Sequence, residues 1–168
     1  MPILCRVTRG DLTESIHAVF AVAVDETGTV FYSTGDPYYL TCIRSSLKPF
    51  QAAAAVKAGA VDAAGFSDDE LAMMCASHSG EDIHVKTVQS MLNKLALSTA
   101  DLECGSHFPS DKITRHKMIK KRNLPESIHN NCSGKHAGML ALAKHLKEDI
   151  KGYIQKEHPV QKEIFNLV

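Results

Sequence analysis

The chain has 168 residues, 44% hydrophobic and 23% charged, the length and balance of a globular domain with a sizeable core rather than a disordered polypeptide. Lysine plus arginine equals aspartate plus glutamate, 19 against 19, for a formal net charge of +0. That balance leaves no electrostatic footprint for nucleic acid or an anionic membrane surface, and a small-molecule partner is the better expectation.

The N-terminal third carries β-branched and aromatic residues between Gly, Asp and Pro punctuation. Strands are predicted over residues 3–7, 16–24, 29–33 and 38–43, forming an N-terminal antiparallel sheet with Asp25-Glu26-Thr27-Gly28 as a hairpin turn. Arg6 and Arg9 sit inside an alternating pattern, not in the charged-then-apolar layout of a secretory signal, so the cytoplasm is the expected compartment. The apolar stretches, such as 17–24 and 52–56, fall far short of the roughly 20 residues that span a bilayer.

After Ile43 the texture changes to Ala, Leu, Met and Lys. Helices are predicted over residues 50–58, 68–76, 83–97, 113–122, 136–147 and 160–168. Ser67 followed by Asp68, Asp69 and Glu70 has the pattern of a helix N-cap, and Ser98 with Asp101 starts a short turn in the same way. These carboxylates are therefore assigned to capping. No repeat or Pro/Gly-rich linker divides the sequence, so a single domain over 1–168 is expected, α/β in class. The last helical pattern stops at Val168 without a capping signal, which suggests a truncated fold.

Five cysteines, Cys5, Cys42, Cys75, Cys104 and Cys132, are odd in number, irregular in spacing and free of any C-x-x-C pair, so free thiols are expected.

The sharpest local signal is Arg44-Ser45-Ser46-Leu47-Lys48-Pro49-Phe50, where a strand pattern meets a helix start. Ser45 precedes Lys48 by three residues, one helical turn, so the lysine nitrogen can reach the serine hydroxyl. Pro49 fits the first turn of a helix beginning near Ser46, where its missing N–H has no partner to lose. A lysine acts as a base only as the neutral amine, whereas free lysine, near pKa 10.4, is almost wholly charged at neutral pH. The surroundings must disfavour the ammonium, through burial, the helix dipole or a second cation such as Arg44. The alternative is a chance arrangement in which Ser45 or Ser46 caps the helix and Lys48 is solvated.

Two further clusters accompany it. In Cys75-Ala76-Ser77-His78-Ser79-Gly80-Glu81, Ser77 can orient substrate, relay a proton or act as nucleophile, or the segment is simply a helix end closed by Gly80. His129-Asn130-Asn131-Cys132-Ser133-Gly134-Lys135-His136 runs directly into an apolar helix. It is not a phosphate loop, because a histidine stands where the first glycine belongs. A metal could use the Cys132 thiolate, although zinc takes further ligands at recognisable spacing. His84, His116 and His145 fall on helical faces and are expected at the surface, while His107 sits in a turn.

Together these three segments, in this order, resemble the signature segments of the bacterial asparaginase II family. The resemblance extends to residues 14–25, 35–37, 104–109 and 158–161, nearly the whole chain. It implies a fold similar to the serine β-lactamases and penicillin-recognising enzymes, and hydrolysis of L-asparagine to L-aspartate and ammonia. By this resemblance Ser45 and Lys48 match the family's first serine–lysine pair, Ser77 the serine of its second, and Cys132 and Lys135 two ligands of a zinc site. Lysine as a zinc ligand has to bind as the neutral amine. The second pair's lysine and a further cysteine ligand are expected beyond Val168, which suggests a fragment.

In the mechanism so implied, Lys48 deprotonates Ser45, the serine attacks the side-chain amide, ammonia leaves and water hydrolyses the acyl-enzyme, with Ser77 sharing the proton network. Arg44 and His136 are candidates for holding the substrate carboxylate or the metal-site geometry, and Arg44 equally for a structural salt bridge. A homodimer or a separately encoded C-terminal half are the expected partners. A penicillin-recognising hydrolase fits S-x-x-K alone, but no Ser-Asp-Asn or Lys-Thr-Gly occurs in the chain. A non-catalytic remnant, or half of a split enzyme, is the alternative from another class.

Overall fold

The computed structural model describes residues 2–168. By their contacts the residues form two compact units, one ending at Ile43 and the other Arg44–Val168.

The first unit is built of two antiparallel hairpins. β1 (Ile3–Arg9) pairs with β2 (Leu12–Val19), and β3 (Ala21–Val24) pairs with β4 (Val30–Thr34). The expected single sheet is thus two separate ladders, because the run predicted over 16–24 breaks at Phe20. The turn after β3 forms as predicted: the Asp25 carboxylate accepts the backbone N–H groups of Thr27 and Thr29, both at 2.9 Å, and Gly28 supplies a φ of 83°. Residues 38–43, predicted as a strand, are not one. The Asp36 side chain and carbonyl instead accept from Tyr38 N–H at 2.9 Å and Tyr39 N–H at 3.2 Å, turning the chain. β-propensity makes a strand only where a neighbour takes up the backbone groups. Thr34 is the one buried residue among the described residues of this unit.

The second unit is helical: α1 (Lys48–Lys57), α2 (Ala60–Ala63), α3 (Asp68–Cys75), α4 (Asp82–Lys94), α5 (Lys112–Lys120), α6 (Ser133–Leu146) and α7 (Pro159–Phe165). α6 is its axis, with α1, α2, α3, α4 and α7 packed on it. Small and apolar side chains bury α6 from His136 to Ala143, its last turn carries the exposed Lys144 and His145, and it begins three residues earlier than the sequence pattern predicts. Gly134 and Gly138 let α3 approach closely: a Cβ on Gly134 would collide with the Met73 carbonyl, and one on Gly138 with the Met74 side chain. The core around this axis includes Met74, Val88, Met91, Leu92, Leu140 and Leu142.

The Ser67 cap is present as a full capping box with Glu70, and Ser98 with Asp101 forms the second. Glu70 does more than cap. Buried beneath α4, its carboxylate also accepts Lys94 Nζ at 2.6 Å and the Ser90 hydroxyl at 2.8 Å. Burial alone would raise its pKa, but these donors, Lys94 foremost, hold it below the usual value.

Candidate functional site

The site forms where three loops meet the ends of α1, α3 and α6. The chain enters α1 through a 3-10 turn, Arg44–Leu47, with Pro49 in the first α-helical turn. Arg44 has a φ of 51°, a left-handed conformation that costs a non-glycine residue about 1 kcal/mol and recurs at functional sites. Ser45 lies in the exposed turn, whereas Lys48 begins the helix on its buried face, only 3% exposed.

Lys48 consequently points inward. Its Nζ donates to the Ala76 carbonyl at 2.6 Å, the Ser77 hydroxyl at 2.7 Å and the Asn131 carbonyl at 3.2 Å. Ser45 is not among its partners. As an ammonium, Lys48 has an acceptor for each proton. As a neutral amine, its two N–H groups would serve the carbonyls and its lone pair would face the Ser77 hydroxyl.

A cavity of about 400 Å3 opens beside it. Arg44, Ser45 and Lys48 line one part, Cys132 and Lys135 another, so five of the seven residues singled out from the sequence share one space. Gln51 and Asn131 complete the lining. Neither was given a role from the sequence, although Asn131 lay within the polar cluster and Gln51 follows Lys48 by three residues. Ser77, itself exposed, joins through its bond to Lys48.

The Ser77 loop and the segment before α6 are held by histidines. His78 is buried and its Nδ1 accepts the Gly80 N–H at 3.1 Å, leaving Nε2 to carry the proton and donate to the Ser133 hydroxyl at 2.8 Å. Burial first, then the nearby His84 and Lys48, push its pKa down to about 4, so the ring is neutral. His107 Nε2 accepts the Asn131 N–H at 3.2 Å. His84, expected at the surface, is half-buried and stacks on His78 with 5.3 Å between ring centres, because α4 starts directly after the loop.

His136 is not in the cavity lining. It is buried in α6, where its Nδ1 meets the Tyr153 hydroxyl at 2.8 Å, and that hydroxyl also accepts the Glu103 N–H at 2.8 Å. Burial, with Lys135 and Lys48 adding, pushes its pKa down to about 3. A neutral imidazole gives a substrate carboxylate no counter-charge.

Cys132 and Lys135 face the same cavity from the start of α6. Burial lowers the Lys135 pKa, the Cys132 and Cys104 thiols oppose the shift, and Lys48 reinforces it. This favours the lone-pair form a metal ligand needs. Burial pushes the Cys104 thiol up to about 11, and its Sγ donates to the Ser127 carbonyl at 3.4 Å, which suits a packing role. Among the described residues no group of three or more His, Cys, Asp or Glu side chains is placed to hold a metal ion. The thiol and amine thus offer two donors where zinc takes three or four.

Residues 5–168 match the family model described as L-asparaginase II. No curated protein matches the chain.

Proposed function

The chain belongs to the L-asparaginase II family, and from that premise we propose that it hydrolyses L-asparagine to L-aspartate and ammonia by serine–lysine chemistry at the Lys48 cavity. The observation that carries the proposal is the 2.7 Å contact between Lys48 Nζ and the Ser77 hydroxyl, next to a cavity that also holds Ser45.

In the proposed reaction the neutral Lys48 amine swings from the Ser77 hydroxyl to that of Ser45 across the shared cavity and takes its proton as Ser45 Oγ attacks the carboxamide carbon. That proton goes on to the departing nitrogen, the C–N bond breaks, and ammonia leaves an aspartyl ester on Ser45. Water then attacks the ester carbon, giving one proton to Lys48. The C–O bond to Ser45 breaks, the serine recovers the proton and aspartate is released. Ser77 holds Lys48 Nζ and shares its proton. Arg44 is the cavity's fixed cation for the substrate carboxylate, whereas His136 contributes only as a neutral group behind the wall.

Zinc belongs to the proposal as a metal that Cys132 and Lys135 would ligate, with its remaining donors from elsewhere; bound there it would fix the wall and add positive charge. No step above requires it. The family's expected likeness to the β-lactamase fold belongs to the same proposal.

A second reading has its own support. All three ammonium protons of Lys48 have acceptors, as in a buried cation that only ties loops together. Ammonia release from L-asparagine by the purified chain separates the two. Turnover lost in Ser45→Ala supports the first, and no turnover in the wild type refutes it.

A further inference from the structure

Lys48 Nζ takes its acceptors from two segments far apart in sequence: Ala76 and Ser77 from one, Asn131 from the other. Its position therefore depends on how those segments are held against each other. His78 joins them twice. Its backbone N–H donates to the Asn131 carbonyl at 3.2 Å, the same oxygen that accepts from Lys48, and its ring donates to Ser133 at 2.8 Å.

We propose that His78 is a positioning residue of the site: its imidazole clips the Ser77 loop to residues 131–133 and so sets the acceptors that hold Lys48 against Ser77. The inference rests on the serine–lysine reading above.

The hydrogen bonds allow one consistent assignment of protons. Gly80 N–H occupies Nδ1, so Nε2 carries the ring proton and gives it to Ser133 Oγ, whose own proton goes to the Ile128 carbonyl at 3.0 Å. Ser133 is 0% exposed and His78 5% exposed, so water does not replace either partner if the link is cut. The loop has little slack on its other side. Gly80 has a φ of 79°, and a Cβ there would press on Pro109 and the His129 carbonyl. Removing the ring takes away the tie to Ser133 and leaves the backbone bond to Asn131 to hold the Ser77 loop there, with Ser45, Lys48 and Ser77 themselves intact. Misplacement of a reacting group by about 1 Å costs on the order of a hundredfold in rate.

The test compares steady-state ammonia release from L-asparagine by the wild type, His78→Ala, His78→Gln and His78→Asn, with melting temperatures measured alongside. Glutamine reproduces the donor toward Ser133, and asparagine only the acceptor toward Gly80. The alanine variant is expected to lose roughly tenfold or more in kcat with KM within about twofold. Glutamine should restore more kcat than asparagine, because only its link crosses to the second segment. A merely structural role would lower all three melting temperatures and leave kcat per folded molecule unchanged, which overturns the proposal. Should the alanine variant not fold, the glutamine-over-asparagine order decides, and an equal or reversed order overturns it. Ser45→Ala keeps the two levels apart. Full turnover in that variant sinks the serine–lysine reading, whereas lost turnover there with normal kcat in His78→Ala sinks this inference alone. A wild type without turnover removes both.

Discussion

Lys48 Nζ sits 2.7 Å from the hydroxyl of Ser77, 29 residues further along the chain, inside a ring of acceptors closed by two backbone carbonyls. Whatever chemistry the cavity performs has this contact at its edge. Lys48→Met should therefore lower ammonia release by about a hundredfold or more, the span expected for loss of a general base. It should also lower stability by roughly 1–2 kcal/mol, because the half-buried Ala76 carbonyl loses its Lys48 donor and that of Asn131 keeps only the His78 N–H. Turnover and urea denaturation on the same preparation check both; retained turnover would remove Lys48 from the mechanism.

Gly134 and Gly138 predict different penalties although they lie one turn apart on the same helix. A methyl on Gly134 meets the Met73 backbone carbonyl, which cannot move without shifting α3, whereas a methyl on Gly138 meets the flexible Met74 side chain. Gly134→Ala is expected to destabilise by roughly 2–4 kcal/mol and Gly138→Ala by less, about 1–2 kcal/mol. Chemical denaturation of the two variants checks the order, and equal penalties would contradict the packing described.

His78 makes stability depend on pH in a defined direction. Its pKa falls from the ordinary 6.5 to about 4 on folding, chiefly through burial. Between those values the unfolded chain binds a proton that the folded chain does not, so stability rises with pH across the window. The contribution is fully present above about pH 6.5 and is lost as pH falls toward 4, with a size on the order of 1–3 kcal/mol. His136, pushed down to about 3, acts in the same sense. Denaturation midpoints from pH 7 to pH 4.5 should fall in the wild type and fall less steeply in His78→Gln. Identical slopes would place the titration elsewhere.

The zinc proposal is tested without reference to turnover. Elemental analysis of protein purified without chelator should find zinc in the wild type and markedly less in Cys132→Ser, since a serine hydroxyl is a far weaker ligand than a thiolate. Equal zinc in both samples would argue against Cys132.

Much of the helical unit was legible from local rules. The capping box at Ser67 and Glu70 marks the start of α3 at the predicted residue, and the 3-10 turn at Thr99–Asp101 follows Ser98 and Asp101. The hairpin turn at Asp25 was likewise set by residues within four positions of one another. Short elements without such signals were missed, among them α2 and the turn Ser127–His129. Residues 38–43 were misread as a strand because a partner strand, not composition, decides whether extended chain is paired.

The amino-acid sequence alone determined which groups are available: a serine three residues before a lysine, a second serine after α3, and a cysteine and lysine opening α6. It also carried the family resemblance, since order and spacing of motifs are properties of sequence. Only the tertiary structure decided who meets whom. Lys48 bonds to Ser77 and Asn131, the latter 83 residues away, and not to Ser45, because it starts α1 on the buried face while Ser45 stays in the exposed turn. Helical spacing gives only the reach of a side chain, whereas the direction it takes follows from which side of its helix the core lies and where the remaining acceptors are.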